Sequence, residues 1–193
     1  DIIIRNFGQP IYNHKVICER LRKYPEVDRV ETVAKGPVMM LHRNVPIFPM
    51  LRSYDTVKNE TALPIKQKNY VKMGFIEDLD DDSIIIGQRL AAQNGISVGD
   101  KVEIFSPTML DKIKKDEVPM PSSLEVVGLL CTDYSEVDSN VALVSLRRMR
   151  DLYNLGDGVH SIVVALKDGA NCNEFSAKLY SDRKIPYRIS TWL

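Results

Sequence analysis

Charge of one sign, paired cysteines, long apolar runs and nucleotide signatures are what this sequence has little of. Lysine plus arginine and aspartate plus glutamate number 26 each, so no net field draws the chain to nucleic acid, an anionic membrane or an acidic substrate. The longest apolar runs, such as Val38 to Leu41 and Ile84 to Ile86, fall far short of the roughly 18 residues that span a bilayer. Cys18, Cys131 and Cys172 are an odd set without paired spacing, which indicates neither a disulfide framework nor a zinc site. There is no P-loop, dinucleotide fingerprint or kinase signature, so no cofactor is expected. The chain opens on Asp1 and a strand-like Ile2-Ile3-Ile4 without a leader, and is expected to be a piece of a longer protein.

What is present is ordinary globular composition, 44% apolar and 27% charged over 193 residues, enough for one large domain or two small ones. The β-rich run Ile2 to Arg5 leads through Gly8-Gln9-Pro10 into a helical pattern with Ile17, Leu21 and Tyr24 on one face and Asn13 as N-cap. Pro25 stops that helix, and Asp28 to Arg43 reads as extended. The C-terminal end repeats this order. Ser161 to Leu166 is β-branched, Asp168-Gly169 turns, Phe175 and Leu179 lie four apart on a helix, and Pro186 to Trp192 is extended. Two βαβ units closing on one sheet predict an α+β fold with a ferredoxin-like subdomain formed by residues 1–44 and 157–193.

Residues 45–156 then form an insertion, expected to be a small β-rich subdomain. Its strands are predicted at Ser83 to Ile86, Lys101 to Phe105, Leu124 to Leu130 and Val141 to Val144. Gln88 to Gln93 reads as a short helix ended by Asn94-Gly95. A second helix is expected over Leu146 to Leu155, with Ser145 as N-cap and Gly156 as stop.

Candidate chemistry is sparse. Gly95-Ile96-Ser97-Val98-Gly99 matches the spacing of a hydrolase elbow, but that elbow needs a strand before the serine and a helix after it, and the order here is reversed. Ser97 therefore reads as a turn residue. Asp78, Asp80, Asp81 and Asp82 lack the central glycine and terminal glutamate of a calcium loop and read as a solvated turn. Arg147, Arg148 and Arg150 read as a solvated helix face, and His14, His42 and His160 as structural or surface residues. No catalytic residue is assigned, and the chain is expected not to be an enzyme.

The informative stretch is Ser106 to Ser123, SPTMLDKIKKDEVPMPSS, about 18 residues joining two strands where hairpin loops usually need two to five. Pro107, Pro119 and Pro121 stiffen its ends, and it carries Met109, Leu110, Ile113, Val118 and Met120 among lysines. A stiff arm carrying adaptable apolar side chains suits insertion into a partner's groove. The alternative is a loop whose apolar residues pack on their own domain.

Three blocks, Ile84 to Ala91, Gly95 to Val102 and Leu124 to Gly128, together with Tyr134-Ser135-Glu136-Val137-Asp138 and the closing Ser190-Thr191-Trp192, resemble the periplasmic domain of lipoprotein-releasing ABC transporter permeases of the LolC/LolE type. The resemblance covers essentially the whole chain. It implies a location on the periplasmic side of a bacterial inner membrane and a second permease subunit as partner. It also implies a cytoplasmic ATPase that never meets this domain, lipoprotein substrates and a soluble LolA-like carrier. It further implies a hairpin hook at 106–123, with expected partner contacts at Pro107, Thr108, Met109, Leu110, Ile113, Val118, Pro119, Met120 and Pro121; because anchors in a desolvated pocket dominate binding, Met109, Leu110 and Met120 are expected to carry most of the affinity. The sequence departs from the pattern at the hook's base, where basic and amide residues are replaced by Glu103, Ser122 and Ser123. The alternative within the wider superfamily is a MacB-like exporter domain driving peptide or small-molecule efflux.

Overall fold

The computed structural model describes residues 2–55, 70–109, 120–182 and 185–191. The chain divides into two units, the first built from both chain ends and the second beginning at Lys35 and ending at Asn154.

In the first unit, strands β1 (Ile2–Arg5), β2 (Val27–Val33), β12 (Ser161–Leu166) and β13 (Arg188–Thr191) form a sheet in the order β13-β1-β12-β2. Every neighbouring pair is antiparallel. Helix α1 (His14–Leu21) joins β1 to β2 and helix α5 (Cys172–Ser181) joins β12 to β13. Each helix thus links two parallel strands separated by one strand of the other strand-helix-strand segment, which is the split βαβ arrangement of the ferredoxin-like fold. Alternation sets the buried face: Ile2 and Ile4 are fully buried, as are Ile162 and Val164 opposite them. Each such side chain contributes about 1.5–3 kcal/mol. Helix α1 covers that face with Ile17, Cys18 and Leu21, and α5 with Phe175 and Leu179.

Two local expectations change here. Asn13 makes no side-chain cap to α1; its Oδ1 instead accepts from the Tyr187 hydroxyl at 2.6 Å. Tyr24 lies beyond the helix, which ends at Leu21 and closes through i to i−3 bonds, Lys23 to Arg20 and Tyr24 to Leu21. The Tyr24 ring meets Phe175 edge-on with centroids 5.4 Å apart, so it still joins the two helices.

The second unit is a nine-stranded mixed sheet. Its strands are β3 (Lys35–Pro37), β4 (Met39–His42), β5 (Val45–Ile47), β6 (Met50–Tyr54), β7 (Val71–Gly74), β8 (Ser83–Gly87), β9 (Lys101–Phe105), β10 (Ser122–Leu130) and β11 (Val141–Ser145). The order is β3-β6-β11-β8-β10-β9-β4-β5, with β7 also on β10. Helices α2 (Gln88–Gln93), α3 (Ser135–Asn140) and α4 (Leu146–Tyr153) pack on it. Ile84, Ile85 and Ile86 are all fully buried, which is how a strand covered on both faces must read. Strand β10 pairs with β9 through its first half and with β7 at its end, while running parallel to β8 from Glu125 to Leu130.

Lys35 to Asn44, expected in the first unit, belongs to the second. Strand β2 ends at Val33 opposite Ser161, and β3 starts at Lys35 opposite Arg52, so the fully buried Ala34 alone separates strands of different sheets. Nothing in a continuously extended segment marks such a change of sheet. Helix α4 also ends earlier than expected, at Tyr153, because Asn154 takes a left-handed cap at φ 51°, two residues before the expected stop at Gly156.

Candidate functional site

The site is assembled from the base of the long β9–β10 connection. The two strands are antiparallel with Ile104 opposite Ser122, Glu103 opposite Ser123, Val102 opposite Leu124 and Lys101 opposite Glu125, so the connection leaves and re-enters the sheet on paired neighbours. Residues directly opposite share a face. Val102, Ile104 and Leu124 are fully buried, which turns Glu103, Ser123, Lys101 and Glu125 to the outer face. Strand β4 extends that face, since Leu41 opposes Glu103 and the half-buried Met39 opposes the half-buried Phe105. A carboxylate at the stem is thereby set between Leu41 on one side and Ser123 on the other.

The sequence-chosen residues fare differently. Glu103 and Ser123 meet as exposed cross-strand partners. Ser122 shares the core face with Ile104 and is half-buried, so it does not join them. Met120 stands 84% exposed at the end of the arm, beside half-buried Pro121. Pro107, Thr108 and Met109 form one helical turn, with Pro107 exposed and the other two half-buried. Leu110, Ile113, Val118 and Pro119 lie outside the described residues.

Thr108, assigned to partner contact, has its hydroxyl turned inward: it donates to the carbonyl of Leu152 on α4 at 2.7 Å. The fully buried Ser106 places its Oγ 2.8 Å from Thr108 Oγ1, and the Met109 N–H donates to the Ser106 carbonyl at 3.0 Å. Sequence reasoning missed this anchor.

It also missed what holds α4. The Ser145 side chain caps the helix, accepting from the Arg148 N–H at 2.9 Å, and its hydroxyl donates to Asp81 at 2.5 Å. Arg148 donates to the Asp81 carbonyl at 2.5 Å and to the Asp82 carboxylate at 2.6 Å, and Arg147 lies 3.4 Å from Asp81. Asp81 and Asp82 of the aspartate run and Arg147 and Arg148 of the arginine face, read alone as solvated, are therefore paired. At the other end of α4 the Tyr153 hydroxyl donates to the Pro37 carbonyl, and burial pushes the Tyr153 phenol up to about 12. A Cβ on Gly36 would lie 2.3 Å from that hydroxyl, so only glycine allows the approach.

Ser97 is exposed between α2 and β9, and its N–H donates to Asp100 at 2.9 Å. That bond, followed by the charges of His42 and Arg43, holds the Asp100 carboxyl below its usual range. His42 is buried 3.3 Å from Asp100, and His14 is buried 3.0 Å from the Asp157 carbonyl. Among the described residues no three His, Cys, Asp or Glu side chains group as metal ligands, and no helix is long and apolar enough to cross a membrane.

The blocks that carried the resemblance also meet in space. The Asp138 carboxylate, buried after β10, accepts from the Thr132 N–H and hydroxyl, both at 2.8 Å, while a Cβ on Gly87 would sit 2.3 Å from the Asp138 carbonyl.

Known proteins share this arrangement. The lipoprotein-releasing system transmembrane protein LolC of Neisseria meningitidis serogroup B is 30% identical over 145 residues, 71% of this chain and 34% of that protein, so the chain spans about a third of that relative's length. The periplasmic region of MacB from Actinobacillus actinomycetemcomitans superimposes with a TM-score of 0.58 at 13% identity, covering 98% of this chain and 87% of that one. The extracellular domain of the ABC-type transporter YknZ from Gram-positive bacteria gives 0.59 at 14% identity, covering 98% and 100%. The family model of the MacB-like periplasmic core domain matches residues 20–180, and this chain belongs to that family, as the periplasmic domain of a MacB- and LolC-like ABC transporter permease.

Proposed function

We propose that this domain serves a permease that releases lipoproteins from the inner membrane, and that its β9–β10 arm recruits the soluble periplasmic carrier that receives them. The observation that carries the reading is the hairpin itself. A loop about three times the usual length leaves a rigid antiparallel stem, and its apolar Met120 is 84% exposed. An apolar side chain held in water between Pro119 and Pro121, two residues before β10, gains most by entering a partner's groove. The identity with LolC supports the same reading. The chemistry is binding and the passing on of movement, with no bond made or broken here. ATP is hydrolysed on a separate cytoplasmic subunit, and a second permease subunit completes the complex.

Glu103 at the stem shapes the partner's rim. A carboxylate there favours a carrier whose contact edge is basic, and rim charges act mainly on the association rate. The test is a binding titration against the cognate LolA-like carrier, comparing the intact domain with a variant in which Pro107 to Pro121 is replaced by a short Gly/Ser turn. Binding that the variant loses supports recruitment by the arm. Equal binding by both refutes the arm, and no binding by the intact domain turns the reading toward a MacB-like exporter.

A further inference from the structure

We propose that Ser106 and Thr108 are positioning residues: they fasten the base of the arm to the C-terminal end of α4 and so fix the direction in which it leaves the sheet. The inference rests on the reading of the arm as the partner-binding element, and it adds how that element is aimed.

The last four carbonyls of a helix have no partner within the helix and must find one elsewhere. At the end of α4 the Leu152 carbonyl finds the Thr108 hydroxyl at 2.7 Å, from a residue 44 positions earlier in the chain. That hydroxyl is itself oriented by Ser106, whose Oγ is 2.8 Å away and whose side chain is fully buried. Ser106 also takes the Met109 N–H on its carbonyl, closing the turn that starts the arm. Two polar side chains, one on either side of Pro107, are thus committed to the protein's own interior at the point where the chain leaves β9.

An anchor is only as firm as what it holds. Helix α4 has eight residues, too few for stability of its own, yet it is fixed at both ends. Its first turn is held by the Ser145 cap, by Asp81 and by the Arg148–Asp82 pair; its last residue is held by the Tyr153–Pro37 bond against Gly36. Met149 and Leu152, both buried, press the helix onto the sheet. The base of the arm therefore rests on a rigid body, while the opposite stem is fixed by the β10 ladder.

Fixing both ends limits the conformers the arm samples before it meets a partner. Where only a fraction of molecules is competent to bind, the apparent affinity falls by that fraction. The loss appears in association, because the bound contacts are unchanged. A residue that touches the partner behaves in the opposite way, acting mainly on dissociation. The two roles separate in a kinetic measurement.

The experiment compares Thr108→Val, which keeps the shape and removes the hydroxyl, with Thr108→Ser, which keeps the hydroxyl, by surface-captured carrier kinetics. Thr108→Val is expected to slow association on the order of tenfold with dissociation unchanged, and Thr108→Ser to restore the native rate. A second readout needs no carrier: trypsin cleavage after Lys112, Lys114 and Lys115 is expected to accelerate several-fold in Thr108→Val and not in Thr108→Ser. Unchanged association together with unchanged cleavage overturns the inference, as does a Thr108→Val defect confined to dissociation, which would make Thr108 a direct contact. If the intact domain binds no carrier while cleavage still accelerates, the anchor stands and the carrier reading fails.

Discussion

Removing the Asp138 carboxylate isolates the contribution of one buried acceptor. The Thr132 N–H and hydroxyl both converge on Asp138 Oδ1 at 2.8 Å, and Thr132 and Asp138 are 4% and 3% exposed. Thr132 Oγ1 in turn accepts from the Tyr134 N–H at 3.3 Å, across Asp133 held at φ 65°. Asp138→Ala leaves two buried donors without an acceptor, at about 1–3 kcal/mol each. Partial relief by entering water brings the sum to about 3 kcal/mol, or a fall in Tm of about 6–12 °C for a chain of this size. Asp138→Asn keeps an oxygen at the same place and loses only the charge, so it costs about 1 kcal/mol or less. Urea unfolding of the three proteins, followed by circular dichroism, measures both differences. If Asp138→Asn is as damaging as Asp138→Ala, the charge rather than the shared acceptor holds this turn, and the argument fails.

Two further outcomes test the packing and the electrostatics. Gly74→Ala is expected to cost about 3 kcal/mol or more in urea unfolding, because at φ +81° its Cβ would lie 1.9 Å from the Val127 carbonyl oxygen and force β7 off β10. Gly95→Ala, at φ +61° with open space around it, is expected to cost only the backbone strain of about 1 kcal/mol, and equal costs would refute the clash. Tyr24, raised to about 12 by its hydrogen bond to Asp182, then by burial and nearby carboxylates, gives stability that is whole below pH 10 and is lost as pH rises through about 12. The 295 nm titration of the native protein minus that of Tyr24→Phe should show this late ionisation, and a midpoint near 10 would contradict it.

The legible parts of the fold are those where punctuation is dense and local. Gly87, Asn94-Gly95 and Val98-Gly99-Asp100 bracket β8, α2 and β9 within about twenty residues, and each element falls where the pattern puts it. The two chain ends carry one strand-helix-strand order each, and their buried alternation suffices to predict the split βαβ sheet. From Lys35 to Tyr54 this reasoning runs out. Four strands of three to five residues, broken by Pro37, Pro46 and Pro49, draw their order from partners far away, β6 lying parallel to β11 nearly a hundred residues later. Local propensity has no access to such pairing.

The site divides along the same line. The arm is visible in sequence as an anomaly of length and as apolar residues among lysines, both local properties. Its anchor is not, because the Thr108 hydroxyl and the Leu152 carbonyl are 44 residues apart and every residue has a carbonyl. Asp81 and Arg148 are 67 apart, and each has a complete reading alone as a solvated charge. Pairing changes what both are for. Two exposed charged runs contribute little when separate, whereas here they fix the first turn of an eight-residue helix whose last turn holds the arm. The chain enters this unit at Lys35 and leaves it after Asn154, and the Tyr153–Pro37 bond ties α4 within three residues of both points. The bond that fixes the end of α4 and the bond that fastens the arm therefore lie on consecutive residues, Tyr153 and Leu152, so the two contacts share one helix end and neither can shift without the other.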